Sequence, residues 1–271
     1  MTERVLTPLQ RFWQLFTGIF HPPPGRGRIA VALLYGVVCH LTFAAGVIAM
    51  IVAMFFGMSE SFGTVPKPWA WLANAALIAQ FPLAHSLLLT KRGMAALNKL
   101  GPARYGKTLA TTSFAIIASL QLLALFTLWT PSGIVWWRAE GAVFWIICAA
   151  YAGSWLLLIK ASYDAGAELQ SGALGWMSLI QKIKPRFPDM PTTGLFRHIR
   201  QPIYVSFALT LWTVPVWTPD QLFLAISYTA YCVAAPRLKE KRFSGMFGER
   251  FKRYRAQVPY MIPKPGQRWR E

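Results

Sequence analysis

The sequence predicts an all-α integral membrane protein: about four transmembrane helices, then a C-terminal helical hairpin and a basic cytosolic segment. Three observations carry that prediction. Charged residues make up only 14% of the chain and hydrophobic ones 55%, whereas soluble domains carry about 25% charge. Apolar runs of the roughly 20 residues needed to cross a bilayer recur along the chain. The cations are also partitioned: 26 of the 28 Lys and Arg fall before the first run, in alternate connections and in the tail, leaving two in the other connections.

The elements follow in order. Residues 1–28 lack a positive-then-apolar leader with a small-residue cleavage site and form an N-terminal interfacial segment, with 12–20 as its amphipathic stretch. A four-helix transmembrane region, 29–163, holds crossings at 29–56, 69–89, 108–130 and 141–163. A cytosolic connection, 164–202, is too long to be structureless, and "WMSLIQKI" within it reads as a short interfacial helix. Residues 203–271 form the hairpin and tail. The apolar part, 203–236, is too long for one crossing and is broken by Pro215, Pro219 and Asp220, giving short helices near 203–217 and 221–236. Prolines 259, 263 and 265 exclude a regular helix at the end. With both termini inside, the cation partition satisfies the positive-inside rule, so both termini are expected in the cytoplasm.

Several functions are disfavoured. The net charge of +18 sits between apolar runs, so membrane loops account for it and no nucleic-acid partner is expected. Cys39, Cys148 and Cys232 lie inside apolar runs without paired spacing and read as packing thiols. His40 beside Cys39 lacks the further ligands a metal site needs. Trp69, Trp71, Trp136, Trp137 and Trp217 cluster near helix ends, as in an aromatic belt. There is no G-x-G-x-x-G, P-loop, H-E-x-x-H or G-x-S-x-G.

Two polar clusters stand out. In "RHIRQPIYVSF" (197–207), Arg197 and Arg200 are three apart and Pro202 suits a helix start, where free amides favour an anion. The same arginines would also serve as headgroup anchors. In "RLKEKRFSGMFGERFKRYRAQVP", Glu240 stands among Arg237, Lys239, Lys241 and Arg242, as either a surface ion pair or a site acid. His85 falls near the cytosolic end of the second crossing, where a polar group is structural or site-lining. Asp164 and Glu168, four apart, would share a face if the fourth helix continues.

Together the clusters resemble the isoprenylcysteine carboxyl methyltransferase and phospholipid methyltransferase superfamily. The shared pattern is an R-x-P-x-Y step entering a hairpin, then an acid, then F-G-x-x-[YF]-x-x-Y-x-x-x-V-P-x-x-[IL]-P. It stands here as "GLFRHIRQPIYVSF", "LKEKRF" and "MFGERFKRYRAQVPYMIP" over 194–263. "FPLAHSLLLTKRG" and the 164–202 connection are similar to the bacterial methanethiol S-methyltransferase branch. The resemblance implies S-adenosylmethionine at the cytosolic mouth of the hairpin, with S-adenosylhomocysteine as product. It implies contacts from Leu195, His198, Arg200, Gln201, Pro202, Tyr204, Glu240 and Tyr254, with Arg200, Gln201 and Glu240 at the chemistry. His85, Asp164 and Tyr231 would line the acceptor. Two departures stand out: Gln201 occupies the usual histidine position and Lys239 replaces the first acid of a Glu-Glu pair. Gln201 can donate and accept hydrogen bonds but cannot titrate.

Methyl transfer is an in-line displacement, so positioning is the main task. A thiol that ionises near the cofactor needs no dedicated base, and none is evident. The expected function is therefore methylation of a small or lipid-like acceptor, a thiol first, in the bacterial inner membrane among membrane lipids. Carboxyl or phospholipid N-methylation remains an alternative. So do an NADPH-dependent reductase of the sterol-reductase type, whose tail "VPYMIP" resembles, and a non-enzymatic scaffold. The sequence leaves the oligomeric state unknown.

Overall fold

The structure, a computed structural model, describes residues 7–270. In chain order the helices are α1 (Pro8–Thr17), α2 (Arg26–Phe55), α3 (Trp69–Leu88), α4 (Lys91–Leu97), α5 (Gly106–Leu128), α6 (Gly141–Asp164), α7 (Ala167–Gln170), α8 (Ala173–Ile180), α9 (Pro202–Trp212) and α10 (Pro219–Gln257). A two-residue strand β1 (Trp137–Arg138) pairs antiparallel with β2 (Val216–Trp217). Four helices, α2, α3, α5 and α6, are long and apolar enough to cross a membrane. Their ends fall within three residues of the expected crossings. The chain is an all-α membrane protein.

Two compact units emerge. Among the described residues the first comprises 7–52, 61–130 and 166–188, and the second 53–60, 131–165 and 189–270. In the first unit, α1 starts with a capping box: Thr7 accepts from the Gln10 amide and the Gln10 side chain returns to Thr7 N–H. Its apolar residues Leu15, Phe16 and Ile19 pack on a core of Ala32, Leu109, Ala173, Trp176, Met177, Leu179 and Ile180.

That core corrects the sequence-based expectation for α8. All eight of its residues are buried, so the helix is packed inside protein rather than lying on the interface. Gly175 makes this possible: a Cβ there would come within 2.6 Å of Thr112 Oγ1 and 2.8 Å of the Thr108 carbonyl. The Thr112 hydroxyl accepts from the Trp176 amide at 3.0 Å and donates to the Gly172 carbonyl at 2.7 Å. Gly172, at the start of α8, lies against Cys39 and Ala115, well inside α2 and α5. At the other end, the buried Arg28 guanidinium donates to the carbonyls of Leu179 (2.7 Å) and Ile180. The segment is thus packed against α2 and α5 along its length. Its orphan helix-end carbonyls, which lipid could not satisfy, are met by a cation that also suits a helix C-terminus.

In the second unit, α9 packs on α6 and α10. Its eleven residues give only about 16 Å at 1.5 Å each. The chain then bends at Thr213 and Pro215 into β2, so α9 alone is shorter than a hydrocarbon core of about 30 Å. β2 is anchored there by β1: Trp136 N–H donates to Trp217 O at 2.9 Å and Ala139 N–H to Pro215 O at 2.8 Å. Ser132 N–H adds a bond to the Asp220 carboxylate at 2.9 Å. The hairpin turn is therefore held beside the α5–α6 connection.

The returning arm is longer than expected. Helix α10 continues some twenty residues past 236, through Pro236 and a kink at Gly248 (φ 49°, ψ −122°). Its basic half carries an apolar stripe, Phe243, Phe247, Phe251, Tyr254 and then Val258, at helical spacing. The stripe buries Phe251, Tyr254 and Val258 against Met190, with Trp269 packed alongside.

Candidate functional site

The polar residues of the second unit converge where α9 begins. The chain enters through a 3₁₀ turn, Gly194–Arg197, held from below by α6: the Leu195 amide donates to Asp164 Oδ2 at 2.8 Å, and Lys160 pairs with the other Asp164 oxygen. Pro202 occupies the first position of α9, where its missing N–H costs nothing.

Glu240 is the centre of the cluster. Its Oε1 accepts from Arg200 Nε at 2.8 Å and from Gln201 Nε2 at 2.8 Å. The pair is 12% and 14% exposed on its side chains, so this is no solvated surface bridge. Arg200 Nη1 donates to Arg255 O (3.1 Å) and to Val258 O, its backbone N–H to Pro259 O (3.0 Å), and its guanidinium lies 5.3 Å from the centre of the Tyr260 ring. One side chain thereby ties the start of α9, the middle of α10 and the chain after α10. Tyr254 closes the same corner, donating to Phe196 O at 2.6 Å. Burial pushes its hydroxyl pKa up, so it remains a protonated donor.

Two acceptors are left over. Gln201 is 2% exposed, and with its nitrogen committed to Glu240, its Oε1 is buried without a hydrogen-bond partner. Glu240 Oε2 has no protein donor among the described residues. A buried polar atom without a partner is uncommon and calls for a reason. Gln201 Oε1 is such an atom, and with the solvent-accessible Oε2 of the Glu240 carboxylate that Gln201 binds, it suits a ligand rich in N–H or O–H donors.

Lys239, in place of an acid, points into aromatic surroundings. Its ammonium lies 5.4 Å from the Phe196 ring centre and 5.3 Å from that of Phe243. Desolvation pushes it down to about 8, opposed by Glu240 and reinforced by Arg242. Among the other expected site residues, Tyr204 lies within electrostatic reach of Tyr231, and Tyr231 stacks edge-on with Tyr228 at 6.3 Å. His198 is exposed and borders an open groove of about 510 Å³ under residues 263–270. His85 belongs to the first unit, where its ring contacts Phe81 (5.2 Å) and Phe114 (4.8 Å). The fourth membrane helix does not continue to Glu168. It ends at Asp164 and Gly166 turns the chain at φ 103°, so the two acids share no helical face. Glu168 instead pairs with Arg11 at 3.1 Å.

Sequence reasoning missed the partners supplied by main chain. The carbonyls of Phe196, Arg255, Val258 and Pro259 leave no residue-type signal. Trp269, whose N–H donates to Arg197 O at 2.9 Å and whose ring meets Tyr254 at 5.5 Å, was detectable only as an isolated aromatic after a proline-rich stretch.

Fold and site together define an all-α integral membrane protein with a half-buried polar site at the foot of its C-terminal hairpin. Comparison with known proteins narrows the class. The chain is similar to the methanethiol S-methyltransferase of Crocosphaera subtropica, at 28% identity over 87% of this chain and 93% of that one. Against the methanethiol S-methyltransferase of a Pseudomonas species, identity is 26% over 89% and 93%. Against Nurim of Rattus norvegicus, a name that specifies no reaction, it is 30% over 64% and 66%. No family profile and no solved structure matches the chain. Over most of its length the chain is thus similar to proteins of the isoprenylcysteine carboxyl methyltransferase-like membrane family.

Proposed function

We propose that this protein is a membrane methyltransferase that uses S-adenosylmethionine to methylate the sulfur of a small thiol, methanethiol foremost, at the cytoplasmic face of the bacterial inner membrane. The observation that carries the proposal is the pair of unused acceptors, Gln201 Oε1 and Glu240 Oε2, in a half-buried corner. They fit a ligand bearing an ammonium and a ribose diol. The names of the relatives from Crocosphaera and Pseudomonas support the reaction and the acceptor. The working region is the proposed hairpin-and-tail segment, 203–271, together with the turn that leads into it.

Bound S-adenosylmethionine would supply a methyl group on a sulfonium sulfur, open to displacement from the opposite side. The chain's own task is to hold and orient. Gln201 and Glu240 accept hydrogen bonds from the cofactor's amino or hydroxyl groups. Arg200 fixes Glu240 by a charge-assisted bond from Nε, and its Nη1 is taken by the carbonyls of Arg255 and Val258. Arg200 thus positions Glu240, and its Nη2 remains for the cofactor contact that the resemblance implies. Tyr231, with Tyr228 and Phe207, offers an aromatic wall for the acceptor. The thiolate is the nucleophile, and the cofactor's positive sulfonium beside the acceptor favours its ionisation without a dedicated base.

Purified protein should be incubated with methyl-labelled S-adenosylmethionine and, separately, methanethiol, a prenylated cysteine and phosphatidylethanolamine. Label is expected in the thiol alone. Gln201→Leu and Glu240→Gln should each weaken S-adenosylhomocysteine binding at least tenfold, as for loss of a charged or buried hydrogen bond of about 1.5–3 kcal/mol. Glu249→Gln, on an exposed ion pair with Lys252, should bind normally. Label only in the phospholipid or only as a methyl ester would sink the thiol assignment. No binding of S-adenosylhomocysteine at all would sink the cofactor assignment.

A further inference from the structure

The first unit holds a basin of about 580 Å³ where α2 begins, α5 begins and α8 ends. Its wall carries Arg28, Arg104, Lys182 and Lys184, with Tyr105 and the bare backbone of Gly25 and Gly27 between them. The charge there is uncompensated. Among its described residues this unit has twelve Lys and Arg and one carboxylate, Glu168, which is taken by Arg11.

The four cations differ in their freedom. Arg28 is buried and committed to the carbonyls at the end of α8. Arg104, Lys182 and Lys184 are exposed and have no carboxylate partner among the described residues; Arg104 rests 5.8 Å from the centre of the Tyr105 ring. Lys182 is held at φ 57°, in the left-handed conformation just past a helix, where glycine is the usual and less strained occupant. Gly27 is the converse case. A Cβ there would meet nothing within 4 Å, so packing does not demand glycine, and its absence of side chain leaves the first amides of α2 open to an approaching group. Neither α2 nor α5 has an acid in its first turn, so both positive helix ends face the basin unneutralised.

Depth decides the ligand. The rim is formed by the first residues of two membrane-spanning helices, which places it in the headgroup layer. Tyr105 at the rim fits that level. Basic hollows between membrane helices on the cation-rich side suit anionic lipids. We infer that this basin binds the phosphate group of an anionic phospholipid, held by Arg104, Lys182 and Lys184 over the open start of α2. A soluble phosphate ester shares that chemistry, and the test separates the two.

Thermal unfolding of the full chain in neutral detergent should be followed with phosphatidylglycerol, phosphatidylcholine or glycerol 3-phosphate added. Phosphatidylglycerol is expected to raise Tm by several degrees and phosphatidylcholine not to. The triple variant Arg104→Gln, Lys182→Gly, Lys184→Gln should need at least tenfold more lipid for the same shift. Lys182→Gly alone gives opposite signs in two readouts: basal Tm rises as the strained turn relaxes, while the lipid-dependent shift shrinks. Gly27→Leu, which adds an apolar side chain where a Cβ meets nothing within 4 Å, should fold and weaken the shift. Lys91→Gln with Lys99→Gln, outside the basin, should keep it. A shift from glycerol 3-phosphate but not from phosphatidylglycerol would assign the phosphate to a soluble ester. Equal shifts from both lipids, or an undiminished shift in the triple and Gly27→Leu variants, would overturn the site.

Discussion

Arg200 does work that no lysine can. Its Nε reaches Glu240 and its Nη1 the carbonyls of Arg255, in the last turn of α10, and Val258, just after it, and only a planar fork offers those directions at once. Arg200→Lys should leave Glu240 half-paired and carbonyls unmet. A loss of about 2–3 kcal/mol is expected from breaking such a part-buried pair, read as a lower Tm in detergent. A variant as stable as the parent would show the clamp to be idle. Lys239 allows a pH test. Its ammonium is held down to about 8 by burial, against an ordinary value near 10.4. The fold therefore bears a charged, desolvated lysine below about pH 8. The unfolded chain binds the extra proton between 8 and 10.4, so stability attributable to this group rises with pH across that window. Lys239→Met should accordingly raise Tm at pH 7, and its advantage should fade by pH 10.5. A pH-independent difference would mean that the lysine is well solvated.

At the scale of elements, α8 makes the strongest demand on sequence. Gly175→Ala pushes a methyl against Thr112 and the Thr108 carbonyl, and overpacking of this kind costs about 1–3 kcal/mol. Gly153→Ala, mid-α6 with nothing within 4 Å, should be neutral or gain up to about 1 kcal/mol from helix propensity. Parallel melts of the two variants check the contrast. The burial of α8 could not be read from "WMSLIQKI", because a short apolar run looks the same whether it lies on a membrane or inside protein. The four spanning helices were legible because each is a long, mostly apolar run whose backbone groups a helix satisfies internally in lipid. The extension of α10 was legible in principle: Phe243, Phe247, Phe251 and Tyr254 keep helical spacing, but the surrounding cations hide it from any average over the segment. Of the site, Arg200, Gln201, Glu240 and Tyr254 were found from their order along the chain. That Gln201 would turn its nitrogen to Glu240 and strand its oxygen is a matter of geometry between residues 39 apart.

At the scale of the molecule, the two units differ in charge balance. The second carries seven carboxylates among its described residues, where the first carries one. The proposed orientation follows from the whole inventory of Lys and Arg. It can be checked with an impermeant maleimide on a background lacking Cys39, Cys148 and Cys232. Leu100→Cys and Arg250→Cys should label only after permeabilisation, and Trp136→Cys without it. Outside labelling at position 100 or 250 would reverse the protein in the membrane. The Arg200 clamp, finally, bears on truncation. Its acceptors at Val258 and Pro259 lie after the last residue of α10. A chain truncated after Gln257 would therefore carry every apolar helix and still lack two of the carbonyls that close the corner.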